Sequence, residues 1–360
     1  MSGLEGLGPC VWSMDVVDTI ADLAWSPSDG RLGVGCSDGR VVVIDADGDV
    51  VDRRLRHPAG TVCVTWFEGE VASGSVDGWV EVGDQRHRVG GWVSALTSGD
   101  DGLGVAHGRR VSILGTSTSE PLPATVAHLR WAATGEGTSG LVACGHGYVR
   151  EFDADLSNSC DANLVWGGTL EAVDWSLDGR WAAAGTRGTT NYLWPRPVEG
   201  DRAGMVVDPA IHVHVLPCPT SDGRLARFDP TGRYLGIATT NGGLAVFDLD
   251  EVHPIAGPSG RLLPLFCRVN AFAWWPDAPV ALLGVATPTG GGGLLLVRCD
   301  DSAAPVGVVD LDAPVTHVAW SPHGGPLAVA CENGAVTVFE RDTEWDWAAS
   351  DGRWDVTDQL

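Results

Sequence analysis

One phrase is written eight times along this 360-residue chain, and no other feature restricts its fold so tightly. Clear copies are Ile20-Ala-Asp-Leu-Ala-Trp-Ser-Pro with Gly30-Arg-Leu-Gly-Val-Gly, and Leu170-Glu-Ala-Val-Asp-Trp-Ser with Gly179-Arg-Trp-Ala-Ala-Ala-Gly. Two more are Leu225-Ala-Arg-Phe-Asp-Pro with Gly232-Arg-Tyr-Leu-Gly-Ile-Ala, and Val315-Thr-His-Val-Ala-Trp-Ser-Pro with Pro326-Leu-Ala-Val-Ala. Each copy is an apolar run closed by an aromatic, a Pro/Asp/Gly turn, a second apolar run, a glycine turn and a third run. With β-branched residues in the runs and turn formers between them, this reads as strand, turn, strand, turn, strand. The intervals from Ile20 to Val315 average about 42 residues, within the ~40–45 period of four-stranded propeller blades.

The units start near Ile20, Val62, Val93, Val126, Leu170, Arg224, Val269 and Val315. Their closing aromatics are Trp25, Trp66, Trp131, Trp175, Phe228, Trp274 and Trp320, and only the third unit departs, with Ser98. Large rings in register read as blade-packing positions rather than ligand contacts. A polar fourth strand is expected in each unit, as at Asp49–Leu55, Arg86–Val89 and Gly307–Asp310, its charges guarding an exposed edge. The last unit is short of that strand, whereas Cys10-Val-Trp-Ser-Met-Asp-Val-Val precedes the first and is strand-like. The sequence therefore predicts that the N-terminal strand completes the last blade and closes the ring. The expected organisation is an N-terminal arm over 1–9, an all-β closed propeller over 10–341, and an acidic, tryptophan-rich tail over 342–360. Eight units predict eight blades, with seven as the alternative.

The net charge is −24, and all 23 basic residues are arginine. Such a chain lacks the basic face that phosphate backbones require and is repelled by anionic membranes, so neither nucleic acid nor membrane is an expected partner. No run of apolar residues is long enough to span a bilayer, and the first nine residues lack the pattern of a secretory signal. The expected compartment is the cytoplasm. The nine cysteines are odd in number, lie mostly in strand runs and show no metal-ligand spacing, which fits small buried hydrophobes.

The repeated Trp-Ser-Pro…Gly-Arg-Leu and Ser-Asp-Gly-Arg-Val patterns make the chain resemble the WD-repeat β-propellers over residues 10 to about 341. The terminal dipeptide has drifted to Ile44-Asp45, Phe152-Asp153, Phe247-Asp248 and Phe339-Glu340. Arg56-His57-Pro58 is the nearest remnant of the family's Gly-His pair, which predicts at most a partial buried His/Asp network. The resemblance implies a rigid interaction platform. Its partner face would be built from the turns between second and third strands together with the loops leading into each first strand. On this chain those tips place Arg40, Trp79, His107, Arg109, His146, Tyr148, Arg187, Asn191, Asn241 and Asn333 as candidate partner-binding residues. Arginine and aromatic side chains are common interface anchors, which puts Arg40, Trp79 and Tyr148 first.

No nucleophile elbow, P-loop, zinc-protease helix or dinucleotide fingerprint is present, and no cofactor is expected. Asp45-Ala-Asp-Gly-Asp49 lacks calcium-loop spacing, and Gly290–Gly293 has no Lys-Ser/Thr behind it. His128 and His317 share a register position but stand in opposite units, too far apart for one ion. His212 and His214 alternate on one strand face and read as solvent-facing. The expected function is a non-catalytic protein-binding scaffold working in a multiprotein complex. The alternative is a propeller-type enzyme (lyase, cyclase or hydrolase) or a small-ligand sensor acting at the channel mouth.

Overall fold

The computed structural model describes residues 7–345, apart from 134–138, 158, 163–169, 187–189, 196–212, 218–222, 240–241, 254–255, 266 and 301–303. Within them the chain forms eight antiparallel four-stranded sheets, each inner strand packed against the inner strand of the next. The inner strands are Ile20–Trp25, Thr61–Phe67, Val93–Gly99, Val126–Ala133, Leu170–Trp175, Gly223–Phe228, Arg268–Trp274 and Val315–Trp320, defining blades 1 to 8. The eight-blade reading therefore holds over the seven-blade one.

Blade 8 is composite. Its inner three strands come from the C-terminal part of the chain, and its outer strand is Leu7–Asp15. The pairing runs from Leu7 opposite Arg341 to Asp15 opposite Ala335, so the two ends of the chain are joined in one sheet. Leu7 is buried in the core shared by blades 7 and 8, together with Trp275, Val280 and Phe339.

Between blades the core is made of Val, Leu, Ile and Ala from the second and third strands, as the near-continuous burial of Leu32–Cys36, Tyr234–Thr239 and Val280–Leu283 shows. These strands are covered on both faces, and each loses the polar alternation that a half-exposed sheet would keep. The closing aromatics add a directional contact. The indole N–H groups of Trp25, Trp66 and Trp274 donate to the carbonyls of Ala319, Ala24 and Arg227 in the preceding blade's inner strand, at 2.9, 2.8 and 2.9 Å. In blades 1, 2 and 7 the ring thus bolts the blade to its neighbour as well as filling space. Blade 3 has Ser98 there, and its outer strand is only Ser117–Thr118.

Every inner strand carries a register shift near its start, as between Ile20 and Asp22, Thr61 and Cys63, and Val315 and His317. A bulge adds one unpaired residue and re-aims the side chains beyond it. In blades 1, 3 and 7 polar side chains at the shift, Asp22, Ser94 and Asn270, bond to backbone of the adjoining inner strand.

Candidate protein-interaction face

The turns joining second to third strands do not stand alone. In blades 1, 2, 3, 6 and 8 they are hydrogen-bonded to loops that enter first strands. In blade 1 the Ser37 and Asp38 N–H groups donate to the Thr19 carbonyl (2.8 Å) and the Asp18 carboxylate (2.6 Å), while the Gly39 carbonyl accepts from Arg56 and His57 N–H. The Gly78 carbonyl accepts from Val89 N–H, Gly108 N–H donates to the Trp92 carbonyl, and Val16 N–H donates to the Gly334 carbonyl. These contacts make a ring of interlocked loops on one face. Both Leu7 and Arg341 lie at the opposite ends of their strands, so neither terminus of the propeller emerges on this side.

A remnant of a buried hydrogen-bond network holds the joint between blades 1 and 2. His57 and Ser73 are fully buried, with Nε2 to Oγ at 2.8 Å. Burial disfavours the imidazolium and pushes the His57 pKa down to about 4. Stability from this neutral ring is complete above the unfolded value near 6.5 and is lost as pH falls toward 4.

The sequence-predicted tip residues divide into two groups. Arg40, Arg109, His146 and Asn333 are exposed. Arg40 pairs with Asp38, Arg109 Nε donates to the Leu122 carbonyl at 2.7 Å, and Asn333 Oδ1 accepts from Ala335 N–H at 3.1 Å. His107, Tyr148 and Asn191 are buried. His107 Nε2 meets Ser112 Oγ at 2.7 Å, the Tyr148 hydroxyl donates to the Ala124 carbonyl at 3.3 Å, and Asn191 Oδ1 accepts from Thr186 N–H at 3.2 Å. Those three side chains support the loops from beneath. Trp79 is half-buried on the flank of blade 2, with the guanidinium carbons of Arg86 and Arg88 at 4.1 and 5.4 Å from its ring centre. Arg187 and Asn241 lie outside the described residues.

Sequence reasoning missed three side chains on this face. Val17, Val76 and Trp92 are 74 %, 45 % and 51 % exposed, in the loop entering blade 1, the turn of blade 2 and the loop entering blade 3. Val17 has φ of +69°, a conformation unfavourable for a β-branched residue, and its N–H is held by Asp15 Oδ1 at 2.6 Å. Trp92 follows Gly90 and Gly91, both at positive φ. A tryptophan set between glycines and an inner strand was the available signal.

The inner strands carry two acids in structural roles, Asp174 buried and Asp22 half-buried. Asp22 accepts N–H bonds from Val64 in blade 2 (2.9 Å) and from Leu23, and Asp174 accepts from Phe228 in blade 6 (2.8 Å) and from Arg130 in blade 4. Burial raises the Asp22 pKa to about 6, against the two N–H groups that lower it. The fold thus favours protonated Asp22, and this contribution is present at low pH and lost as pH rises through about 6. Relative to wild type, Asp22→Asn is expected to gain up to about 3 kcal/mol between pH 4 and pH 7, whatever constant cost the amide brings. Denaturant unfolding of both proteins across that range checks it; a difference independent of pH would count against a titrating Asp22.

Among the described residues no group of three His, Cys, Asp or Glu could hold a metal ion. His317 is half-buried with Nδ1 3.1 Å from Thr316 Oγ1. His214 departs from expectation: it is buried against Trp181, with ring centres 6.3 Å apart, because the outer strand of blade 5 turns it inward. His212 lies outside the described residues. In the tail, Trp345 packs edge-on against Trp275, which also meets Trp320, on the face opposite the interlocked loops. Trp347 and Trp354 are outside the described residues.

Comparison with known proteins agrees with this architecture. No protein-family model matches the chain. The COMPASS component SWD1 of Saccharomyces cerevisiae is 27 % identical over 114 residues, 32 % of this chain and 24 % of that protein. The solved Dos1 propeller superposes with a TM-score of 0.72 at 13 % identity, covering 94 % of this chain and 95 % of that one. The chain has the fold of a β-propeller. The Cps50 (Swd1) propeller domain of Myceliophteria thermophila gives a TM-score of 0.57 at 12 % identity, covering 93 % of this chain and all of that one. A chain of the mitotic checkpoint complex gives 0.60 at 15 % identity, covering 93 % and 95 %. The aligned part of SWD1 is thus about a quarter of that relative's length. The propeller ring is complete, and of the buried histidine network that a resemblance to WD-repeat propellers implies, the His57–Ser73 contact is present.

Proposed function

We propose that this propeller is a non-catalytic scaffold that binds a protein partner on the interlocked loop face, in the sector from the blade 8–1 joint to blade 4. One observation carries the reading: Val17, Val76 and Trp92 are exposed large apolar side chains on that one face, which also exposes Arg40 and Arg109. An apolar anchor with arginines at its rim has the composition of a binding patch rather than of inert surface. The rigid ring beneath fixes the loops before binding, so little ordering entropy opposes association. SWD1 is by its name a component of a complex, and the mitotic checkpoint chain was solved within one, which supports the same use here. The cytoplasm remains the proposed compartment; seven of the nine cysteines are free thiols, as a reducing environment keeps them.

The test is capture from the host lysate with wild type and a Trp92→Ala/Arg40→Ala double variant in parallel. Both side chains are exposed, so the variant is expected to melt within about 2 °C of wild type. A stoichiometric protein held by wild type and reduced about tenfold or more by the variant supports the face. A partner held equally by both would refute it.

A further inference from the structure

We propose that the cleft on the rim between blades 2 and 3 binds a phosphate group. This site lies away from the loop face and does not depend on it. The cleft encloses about 560 Å³ between the outer strand of blade 2, Gln85–Arg88, and the outer edge of blade 3. It opens there because the outer strand of blade 3 is two residues long and leaves the flank of its neighbour uncovered.

The lining is anomalous for this molecule. The chain has 47 acidic residues, yet no carboxylate lines the cleft. Arg86, His87, Arg88, Thr116, Ser117 and Thr118 do. Arg86 shares Glu81 with the buried Arg56, at 3.3 and 3.8 Å, so one carboxylate serves two guanidinium groups. Arg88 has no ion pair among the described residues. Both stand over the Trp79 ring, which limits where their charged ends can go. Thr118 spends its hydroxyl on Ser112, which in turn meets His107. The Ser117 hydroxyl is buried and has no partner among the described residues. A buried unmade hydrogen bond costs about 1–3 kcal/mol, and an acceptor oxygen in the cleft removes that cost.

Phosphate suits these donors better than a carboxylate. It offers three acceptor oxygens and up to two negative charges, matching a guanidinium fork, a second arginine and a hydroxyl. Free phosphate and a phosphorylated side chain share this chemistry, and the experiment separates them.

Isothermal titration of the full chain would use inorganic phosphate, a Gly-Ser peptide bearing one phosphoserine, and the same peptide without phosphate. Heat from either phosphate probe, with none from the bare peptide, is the expected result. Equal affinity for both probes assigns the site to the free anion, and tighter peptide binding assigns it to a carried group. Arg88→Ala is expected to weaken binding about tenfold. Ser117→Ala is expected to weaken it several-fold without lowering the melting temperature, since it removes an unsatisfied group. No heat from either phosphate probe up to about 10 mM, or an Arg88→Ala affinity equal to wild type, would overturn the proposal.

Discussion

Removal of residues 1–15 is expected to lower the melting temperature by about 10 °C or more and to drive the protein into soluble oligomers or aggregates. The deleted strand pairs with blade 8 from Leu7–Arg341 to Asp15–Ala335, and its loss turns Ala335–Arg341 into a bare edge. It also uncovers the core around Leu7 and withdraws Trp12, whose ring lies against Gly48 of blade 1. The joint between blades 8 and 1 would then rest on the three strands left in blade 8, with the Trp25–Ala319 bond, and the remaining seven joints cannot compensate because each links only adjacent blades. Calorimetry and light scattering read the outcome. Adding a synthetic peptide of residues 1–18 is expected to restore part of the lost stability. A truncated protein that melts within about 2 °C of wild type and stays monomeric would show that closure contributes little.

The second large effect is expected at Gly39. Its φ is +92°, and a Cβ there would lie 1.6 Å from the His57 carbonyl oxygen, a backbone atom that cannot rotate away. The same Gly39 carbonyl receives the Arg56 and His57 N–H groups, so any shift pulls on the His57–Ser73 contact. Gly39→Ala should therefore cost about 4 kcal/mol, at the upper end for one substitution. Gly69 is the control. It has φ of +78° and open space within 4 Å of where a Cβ would stand, so Gly69→Ala should cost only about 1 kcal/mol of backbone preference. Urea unfolding of the two variants separates steric crowding from backbone preference; equal losses would contradict the crowding at Gly39.

Blade boundaries were legible because they are local. The unit starts read from apolar runs and turn residues fall within one residue of the inner strands in all eight blades. Ring closure was legible too, since Val11 and Met14 belong to a strand-like run facing a blade short of one strand. The partner face was less so. Whether a tip side chain is exposed depends on the loop from another blade that folds over it, and no local pattern records that. Asn191 is a turn-type residue by sequence, yet Gly223 at the start of blade 6 closes over it so tightly that a Cβ would meet Asn191 Oδ1 at 2.3 Å. Tyr148 is covered within its own blade, its ring against Gly145 and its hydroxyl donating to the Ala124 carbonyl in the loop that enters blade 4. The reverse holds for Trp92, which a hydrophobicity reading assigns to the core and which the glycines before it lift into solvent. The rim cleft was invisible, because the shortness of Ser117–Thr118 emerges only from pairing.

Closure by the N-terminal strand also sets a schedule for synthesis. Asp15 leaves the ribosome 320 residues before Ala335, its pairing partner. At about 5–20 residues per second the strand waits roughly 16–64 s for a place in a sheet. During that interval blades 1 to 7 can stack in order, but the first and last keep an open apolar flank, and the waiting strand is itself an unpaired edge. Nascent chains of this protein therefore pass through a long window in which a chaperone, or a neighbouring chain offering its own blade 8, competes for Leu7–Asp15. A ribosome that stalls late in the message would release a propeller complete in nearly every blade and still unlocked.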